Sequence, residues 1–234
     1  MIGICIEGII GSGKSTLCDR LSDEFSLNVV EEPVDDNPYL DRFYQNQRRW
    51  AFQMQMWLVA RRCMLQVDAQ SRSGPGYVTD RSVMGDRVFA RMHHEAGNIS
   101  DDLWPVYTDF FSVMTKLVQP PHLMVFLNVS PQVAMERIQE RARGAETEGV
   151  TMEYLRRLRE GYLRMIDEVS SGGNEWGSNV AVLQFDGYKD IDATVRAIHV
   201  HMRGSIKQDI VPEASSSAVK ADPAEPAEHV EQQA

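Results

Sequence analysis

The first residues that could do chemistry lie in one short segment, Gly8–Ser15. It has the spacing G-x-x-x-x-G-K-S, follows the apolar run Ile2–Ile6 and leads into an amphipathic segment. A strand, a glycine-rich turn and a helix in this order form a phosphate-binding loop, where backbone N–H groups and the helix dipole hold a phosphate. A fortuitous glycine-rich turn is the alternative. The residues predicted to bind ATP are Gly8, Ile10, Gly11, Ser12, Gly13, Lys14, Ser15 and Thr16.

Within this loop, Lys14 can reach the β- and γ-phosphates, and the Ser15 hydroxyl can hold Mg²⁺. Ligands of an open parallel sheet bind at the carboxyl ends of its strands, so polar residues that close a strand are the next candidates. Asp80 closes such a strand and is predicted to share Mg²⁺ with Ser15 through water. Arg81 follows it and could steady the acceptor hydroxyl or the transferred phosphoryl group.

A second strand ends in Glu31-Glu32-Pro33. Because adjacent strand residues point to opposite faces, only one of these glutamates should face the cleft. We favour Glu32, whose position is fixed by Pro33, as the base that takes the proton from an attacking hydroxyl. A helix cap or a solvated loop is the alternative.

The same segment also indicates the kind of acceptor. It holds four acids, Glu31, Glu32, Asp35 and Asp36, and no arginine. A kinase acting on a nucleoside monophosphate must hold a second phosphate, normally with arginine in this segment. Repulsion between like charges would disfavour such an acceptor, so a neutral alcohol fits better.

A long, largely apolar helical segment carries two polar residues on one face. Gln55 and Arg62 are seven residues apart, with Leu58 and Val59 between them. The pair is either a solvated stripe or a wall that binds a nucleobase, with an amide able to make two hydrogen bonds.

Three arginines, Arg137, Arg141 and Arg143, crowd the end of a helix before the turn 144–149. Arg137 and Arg141 are like charges at i,i+4, which is unfavourable without an anion nearby. We predict a lid that brings these arginines over the phosphates of ATP, where they stabilise transition-state charge. The alternative is pairing with nearby acids, namely Glu136, Glu140, Glu146 and Glu148.

Strand signals alternate with helical patterns along the chain, which predicts an α/β fold with a parallel sheet. One domain over 1–210 accounts for them, and residues 211–234 form an acidic Ala/Pro/Ser/Glu tail predicted to be disordered. The predicted strands are Ile2–Ile6, Leu27–Glu32, Tyr77–Asp80, His122–Val129 and Val180–Asp186. The predicted helices cover about 14–25, 37–44, 47–70, 83–94, 101–118, 131–143, 152–169 and 191–202.

Composition excludes several classes of function. The net charge of −10 and the pI near 5.1 argue against binding to nucleic acid or to an anionic membrane surface. No apolar stretch approaches the length of a membrane helix. The three cysteines, Cys5, Cys18 and Cys63, have no metal-binding spacing and are predicted to be buried free thiols of a cytoplasmic protein. A first strand at residue 2 leaves no room for a signal peptide.

In order and spacing, these residues resemble the deoxynucleoside kinase family, which includes deoxycytidine, deoxyguanosine and deoxyadenosine kinases. The resemblance runs from Met1 to about Met202 and omits the tail. The motifs that carry it are Gly8–Ser15, Glu32-Pro33, Asn37-Pro38-Tyr39-Leu40, Phe43-Tyr44, Trp50–Gln55, Asp80-Arg81-Ser82 with Asp86, the three arginines before Glu146, and Glu153-Tyr154-Leu155.

The resemblance implies a P-loop kinase fold, with a five-stranded parallel sheet of order 2-3-1-4-5, helices on both faces and an arginine-bearing lid. It implies ATP and Mg²⁺ as cofactors, a homodimer through the long helices, and Glu32 as the base. Tyr44 and a lid glutamate would hold the 3′-hydroxyl of the nucleoside. Gln55 would hold its nucleobase. Arg62 and Asp86 would form a charged pair at the polar edge of the nucleobase, a pair that thymidine-preferring members lack.

The sequence departs from the family pattern in two places. Asp80 stands where many relatives have Glu, which shortens the reach to the metal. The lid between Arg143 and Val150 is one residue longer, which leaves Glu146 and Glu148 as alternatives for the 3′-hydroxyl; the spacing from Arg143 favours Glu146.

We therefore expect an ATP-dependent kinase of the 5′-hydroxyl of a purine or cytosine 2′-deoxyribonucleoside. Lys14, Glu32, Arg81, Arg137, Arg141 and Arg143 are the expected catalytic residues. The alternatives are a nucleoside monophosphate kinase, a non-catalytic relative that serves as an accessory subunit, and a regulatory NTPase.

Overall fold

A computed structural model describes residues 1–33, 37–141, 149–173, 175–176, 180–186 and 190–209. Strands and helices alternate along these residues, as the sequence predicts. The strands are β1 (Ile2–Gly8), β2 (Asn28–Val30), β3 (Gly76–Asp80), β4 (Leu123–Asn128) and β5 (Ala181–Asp186). The helices are α1 (Lys14–Phe25), α2 (Leu40–Gln45), α3 (Gln47–Ser71), α4 (Val83–Glu95), α5 (Leu103–Thr115), α6 (Pro131–Arg141), α7 (Met152–Ser170) and α8 (Ile191–Asp209).

The five strands form one parallel sheet in the order β2-β3-β1-β4-β5, which confirms the predicted order. The central strand β1 lies between β3 and β4, with Ile6 opposite Asp80 and Gly8 opposite Leu127. This register places the end of β3 beside the end of β1. The phosphate-binding loop and the residues that follow Asp80 therefore meet at one edge of the sheet.

The strand β2 is shorter than the sequence predicts. Its three residues pair with β3, and the last pair is Val30 with Thr79. Glu31 and Glu32 lie beyond this pair and are not part of β2. The alternation of side chains along a strand therefore does not determine which of the two glutamates faces the cleft.

The helix α3 is the longest in the described part of the chain, with 25 residues. The Asn46 side chain accepts a hydrogen bond from the Arg49 backbone N–H at 3.0 Å and so caps its start. Helix α3 packs against α2, α4 and α5 and against strands β2 and β3. It can therefore bring side chains to the edge where β3 ends.

The last helix, α8, continues to Asp209, beyond the predicted end near Met202. The chain divides into two compact units, Met1–Ile198 and His199–Ala234. The first contains the whole sheet. The second begins within α8, and the predicted tail, 211–234, lies outside the described residues.

Two predictions from composition can be compared with the structure. The cysteines Cys5, Cys18 and Cys63 are buried free thiols, as predicted. Among the helices that the structure describes, none has the length and apolar character needed to cross a membrane.

Candidate active site

A cavity of about 610 Å³ opens at the carboxyl edge of the sheet. The phosphate-binding loop forms one end of it, and residues after β2 and β3 form the other. Helices α2, α3, α4 and α7 supply further walls. Its lining includes Ile10, Gly11, Lys14, Ser15, Cys18, Asp19, Glu31, Glu32, Asn37, Asp41, Phe43, Tyr44, Met54, Leu58, Asp80, Arg81, Asp86, Phe89, Arg141 and Tyr154.

We call the end of the cavity at the phosphate-binding loop the donor end, and the end formed by residues after β2 and β3 the acceptor end. At the donor end, the backbone of two glycines, Gly11 and Gly13, is in the left-handed region. Gly11 has φ +78°, and a Cβ there would lie 2.5 Å from the Ala134 carbonyl oxygen. Gly13, with φ +95°, precedes the first residue of α1. The loop thus turns its backbone towards the N-terminus of α1, where the helix dipole favours a phosphate. Of the other predicted ATP ligands, Gly8 ends β1, Ser12 is buried and Thr16 is exposed.

Lys14 is 6% exposed and makes one hydrogen bond and one ion pair at the donor end. Its Nζ donates to the Ile9 carbonyl oxygen at 3.4 Å and lies 3.8 Å from Asp80 Oδ1. Burial lowers the pKa of Lys14, and the neighbouring charge of Arg81 adds to this effect. A buried ammonium at this place favours binding of an anion, because a phosphate would compensate its charge.

Ser15 and Asp80 come together as the sequence predicts. The Ser15 hydroxyl donates to Asp80 Oδ2 at 2.6 Å, while Asp80 Oδ1 is buried and accepts no hydrogen bond. A hydroxyl and a carboxylate with a free oxygen fit Mg²⁺, which takes one or two protein oxygens together with phosphates and water. A cluster of three or more His, Cys, Asp or Glu that could hold a metal ion is absent from the described residues.

The lid arginines are described in part. Arg137 Nη1 donates to the Ser12 carbonyl oxygen at 3.1 Å, so helix α6 contacts the phosphate-binding loop. Arg141, one turn further along α6, lines the cavity. The predicted residues Arg143, Glu146 and Glu148 lie outside the described part of the chain.

At the acceptor end, Glu32 is bound by two arginines. Glu32 Oε1 accepts from Arg81 Nε at 2.8 Å and from Arg62 Nη2 at 3.3 Å. Burial alone would raise the pKa of Glu32, but the charges of Arg81 and Arg62 outweigh it and lower the pKa to about 2. Glu31, its neighbour, is exposed. Glu32 is therefore an ionised carboxylate on the cavity wall at every physiological pH.

Gln55 and Arg62 are both buried, at 0% and 3% exposure, which excludes the solvated stripe. Arg62 Nε pairs with Asp86 Oδ2 at 2.9 Å, and Arg62 Nη1 donates to the Asp80 carbonyl oxygen at 3.1 Å. Neither polar atom of the Gln55 amide has a hydrogen-bond partner. An unpaired buried amide is costly. Gln55 and Arg62 are themselves not among the residues that line the cavity, whereas Met54, Leu58 and Asp86 beside them are.

The remaining walls are apolar and aromatic. Met54 and Leu58 come from the same side of α3 as Gln55, and Phe89 comes from α4. Tyr44, predicted to hold the 3′-hydroxyl, lines the cavity next to Phe43. A Cβ on Gly149 would clash with the Tyr44 ring, so this ring lies against the backbone at the end of the lid segment. This part of the cavity can thus contact both faces of a planar ring.

Two residues behind Arg81 are not predicted from the sequence. Glu7 is the last but one residue of β1 and is 0% exposed; Tyr162 belongs to α7 and is also 0% exposed. The Tyr162 hydroxyl accepts a hydrogen bond from Arg81 Nη1. A carboxylate within an otherwise apolar central strand is the signal that could have identified Glu7. Tyr162 follows an ordinary amphipathic pattern, and nothing in the sequence distinguishes it.

The fold and the site together define a P-loop kinase, with a phosphate-binding loop at one end of the cavity and a carboxylate bound by arginines at the other. The family model for deoxynucleoside kinase matches residues 4–203. The chain therefore belongs to the deoxynucleoside kinase family and is a phosphotransferase.

Individual relatives agree with this assignment. Deoxyadenosine kinase of Dictyostelium discoideum is 36% identical over 169 residues, which is 71% of this chain and 67% of the relative. Deoxyguanosine kinase of the same organism is 32% identical over 199 residues, covering 84% and 68%. Deoxyadenosine/deoxycytidine kinase of Bacillus subtilis is 35% identical over 146 residues, covering 61% and 67%.

Solved structures share the fold. Deoxyadenosine kinase of M. mycoides with bound dATP superposes with a TM-score of 0.74 at 22% identity, covering 86% of this chain and 100% of that chain. The same enzyme with the products dCMP and dCDP gives a TM-score of 0.76 at 22% identity, covering 87% and 100%.

Proposed function

We propose that the protein transfers the γ-phosphoryl group of ATP to the 5′-hydroxyl of a purine or cytosine 2′-deoxyribonucleoside, as a step of nucleotide salvage in the cytoplasm. The observation that carries the proposal is Glu32, an ionised carboxylate on the wall of the cavity that also contains Lys14. One cavity thereby offers a phosphate-binding end and a base for an alcohol.

Chemistry at this site consists mainly of positioning and charge stabilisation. The 5′-hydroxyl oxygen attacks the γ-phosphorus and the bond to the β-phosphate oxygen breaks, while Glu32 takes up the hydroxyl proton. Arg81 binds Glu32 and so holds the general base in place, and its guanidinium faces the charge that develops on the transferred phosphoryl group. Lys14 stabilises the phosphates of ATP. Mg²⁺, held by Ser15 and Asp80, would neutralise phosphate charge. Arg137, Arg141 and Arg143 would add positive charge from the lid.

The preference for purines and cytosine rests on the polar residues of α3 and α4. The unpaired amide of Gln55 has both a donor and an acceptor and can pair with adjacent donor and acceptor groups of any nucleobase, so discrimination against thymine would come from Arg62 and Asp86. The ion pair of Arg62 with Asp86 gives the same wall a fixed charge pattern. The relatives are named for deoxyadenosine, deoxyguanosine and deoxycytidine.

The 3′-hydroxyl would be held by Tyr44 together with a lid glutamate, for which we keep Glu146 over Glu148. A monophosphate acceptor is disfavoured by acids on the cavity wall. Glu31 and Asp41 line it, in addition to Glu32. The other two acids of the sequence argument, at 35 and 36, lie outside the described residues. A phosphate placed near these carboxylates would be repelled.

A homodimer is proposed from an exposed apolar face on α3 and α5, two helices that pack together. Large apolar side chains of this face are 41–60% exposed, and exposed clusters of this kind mark interaction surfaces. Its residues are Met64 and Val67 on α3, Val106 and Val113 on α5, and Leu117 just beyond the end of α5. Sedimentation of the protein should give twice the chain mass, and Met64→Asp combined with Val113→Asp should give a monomer that remains folded.

The decisive experiment is a panel of the four deoxynucleosides with ATP and Mg²⁺, together with deoxyadenosine monophosphate as a competing acceptor. We expect 5′-monophosphate products from deoxyadenosine, deoxyguanosine or deoxycytidine, with thymidine and the monophosphate at least tenfold poorer. Phosphorylation of the monophosphate instead would support a nucleoside monophosphate kinase. A folded protein that binds ATP and phosphorylates nothing would support an accessory subunit, and hydrolysis without an acceptor would support a regulatory NTPase.

A further inference from the structure

The carboxyl group of Glu7 is buried in the centre of the sheet. Glu7 is 0% exposed and lies opposite Phe126 of the neighbouring strand β4. Burial raises the pKa of Glu7, and this effect is opposed by hydrogen bonds from Ser82 and by the charge of Arg81. A carboxyl group is retained in such a place only where its partners need it, because an apolar residue would fit a buried strand at less cost.

The partners of Glu7 belong to the turn that follows Asp80. Glu7 Oε1 accepts from the Ser82 backbone N–H at 2.7 Å and from the Ser82 hydroxyl at 2.6 Å. The Ser82 Oγ in turn accepts from the Met84 N–H at 3.2 Å and caps the start of α4. A Cβ on Gly85 would lie 2.7 Å from Glu7 Oε2, so the first turn of α4 packs closely on the carboxyl group.

Arg81, the residue in front of Ser82, has an unusual backbone conformation. Its φ is +70°, in the left-handed region that residues with a side chain rarely adopt. The Arg81 N–H donates to the Ile6 carbonyl oxygen at 3.0 Å on one side, and Glu7 holds Ser82 on the other. Strain of this kind persists only where the surroundings fix it.

The strained backbone aims the Arg81 side chain at the site. Its Nη1 donates to the Gly8 carbonyl oxygen at 2.6 Å and to the Tyr162 hydroxyl, and its Nε donates to Glu32 at 2.8 Å. The guanidinium lies 4.8 Å from the centre of the Phe89 ring. All of these contacts depend on the direction in which the backbone at 81 presents the side chain.

We infer that Glu7 is a positioning residue for phosphoryl transfer: by binding Ser82 it holds Arg81 in the left-handed conformation that directs its guanidinium to Glu32. This inference rests on the proposed function, in which Arg81 and Glu32 act on the acceptor. Glu7 itself lies behind Arg81 and contacts no substrate.

The test is kinetic, with substitutions at Glu7 and Ser82. Glu7→Leu removes both hydrogen bonds and should lower kcat on the order of 10²-fold, the loss expected for an ångström-scale misplacement. Glu7→Gln keeps an acceptor for Ser82 and should restore kcat to within about threefold. Ser82→Ala keeps the backbone N–H and should give an intermediate loss, about tenfold. The KM of ATP should change less than threefold in all three, because the phosphate-binding loop is unaltered.

A matched control separates positioning from stability. Ile4 is equally buried on β1, but its side chain lies on the opposite face of the strand from Glu7 and Ser82. Ile4→Ala should lower the Tm while leaving kcat below the melting range unchanged. If Glu7→Leu also lowered only the Tm, its role would be structural and the inference would be wrong. If Glu7→Leu does not fold, an unchanged kcat in Ser82→Ala overturns the inference in the same way.

A double-mutant cycle tests the route through Arg81. If Glu7 acts through that arginine, Glu7→Leu should cause no further loss of kcat/KM in an Arg81→Ala background. Additive losses would contradict the inference. Measuring Glu32→Gln in parallel distinguishes a failure of the proposed function from a failure of the role of Glu7. An active Glu32→Gln enzyme refutes the proposed function, whereas an inactive one beside a fully active Glu7→Leu enzyme refutes the role of Glu7 alone.

Discussion

The donor end and the acceptor end of the cavity are constructed in different ways. The donor end is made of consecutive residues, Gly8–Ser15, whose backbone and helix N-terminus face the cavity. The acceptor end is made of charged side chains from separate elements. Glu32 follows β2, Arg62 lies on α3, and Arg81 and Asp86 belong to the segment after β3. A short segment shaped by glycines suffices to bind a phosphate, whereas the acceptor end needs the whole fold.

This difference has a physical cause. A phosphate has many equivalent oxygens, which backbone N–H groups can bind without any particular side chain. An acceptor hydroxyl needs one base in a defined protonation state, and a nucleobase needs a defined order of donors and acceptors. The acceptor end therefore depends on mutual neutralisation of buried charges. We therefore expect removal of a charged side chain to impair the acceptor end. At the donor end, we expect the same from adding a side chain to a glycine.

The largest effect is expected from Glu32→Gln. The amide cannot take up the hydroxyl proton, so kcat should fall about 10³-fold, within the range for loss of a general base. ATP affinity, measured by calorimetry, should stay within about threefold because the donor end is untouched. The neighbouring exposed residue provides the control, and Glu31→Gln should retain near-normal kcat. Near-normal activity of Glu32→Gln would remove Glu32 from its role.

Arg62→Met should cost folding stability as well as activity. It leaves Asp86 as an unpaired buried carboxylate, and breaking a buried ion pair in this way costs about 3–5 kcal/mol. The exposed pair of Arg72 with Asp68 provides a matched control, because its side chains are 59% and 54% exposed. Arg72→Met should cost less than about 1 kcal/mol. Urea unfolding of both variants measures the difference; equal losses would mean that the acceptor end is not held by its charges.

Acid should weaken the acceptor end through His93, whose ring lies 5.0 Å from the cavity residue Phe43. Burial lowers the pKa of His93 to about 4, and the nearby Arg157 adds to this. The folded pKa is below the unfolded value of about 6.5, so the stability from neutral His93 is complete above pH 6.5. It is lost as the pH falls towards 4, about 3 kcal/mol in all.

Urea unfolding between pH 7.5 and pH 4.5 measures this loss. A His93→Phe variant should show a flatter pH dependence, whereas His94→Gln, at the next and more exposed position, should keep that of the unmodified protein. Equal pH dependence in all three proteins would assign the acid sensitivity to other groups.

The smallest effect is expected from Gly11→Ala. A Cβ would lie 2.5 Å from the Ala134 carbonyl oxygen and would force a side chain into φ +78°, a strain of about 1–3 kcal/mol. The KM of ATP should rise about tenfold, and the affinity for the deoxynucleoside should not change. Gly97 has a similar φ, +72°, and a Cβ there would meet no atom within 4 Å. Gly97→Ala should lower the Tm slightly and leave the KM of ATP unaltered; a shared effect on both KM values would contradict the separation of the two ends.

The two ends also differ in how far the sequence predicts them. The phosphate-binding loop could be identified residue by residue, because its spacing and its flanking elements are contiguous. The order of the strands is implied by the resemblance to deoxynucleoside kinases. Most bounds of the helices and strands are predicted by hydrophobic periodicity and by Gly and Pro residues that end an element. At the acceptor end, the sequence supplied Glu32, Arg62 and Asp86 as separate candidates. Their mutual contacts depend on the register of β3 against β1, which no local pattern encodes.

Strand alternation implies that only one of the two glutamates faces the cleft, and Pro33 favours Glu32, although β2 ends before both residues. What distinguishes Glu32 in the structure is its ion pairs with Arg62 and Arg81. The predicted first strand, Ile2–Ile6, ends before Glu7, whereas β1 extends to Gly8 and includes it. The groups that Glu7 binds, the N–H and hydroxyl of Ser82, lie 75 residues further along the chain.

Helix α3 has little surface that is free to change. One side presents Met54 and Leu58 to the cavity, and Arg62 joins the buried charges behind it. Other sides pack against α2, α4 and α5, and the exposed Met64 and Val67 belong to the proposed subunit interface. In a scan of all single substitutions, α3 should therefore tolerate fewer amino acids per position than α1, and insertions within it should be rejected, since one added residue would rotate every later side chain by about 100°.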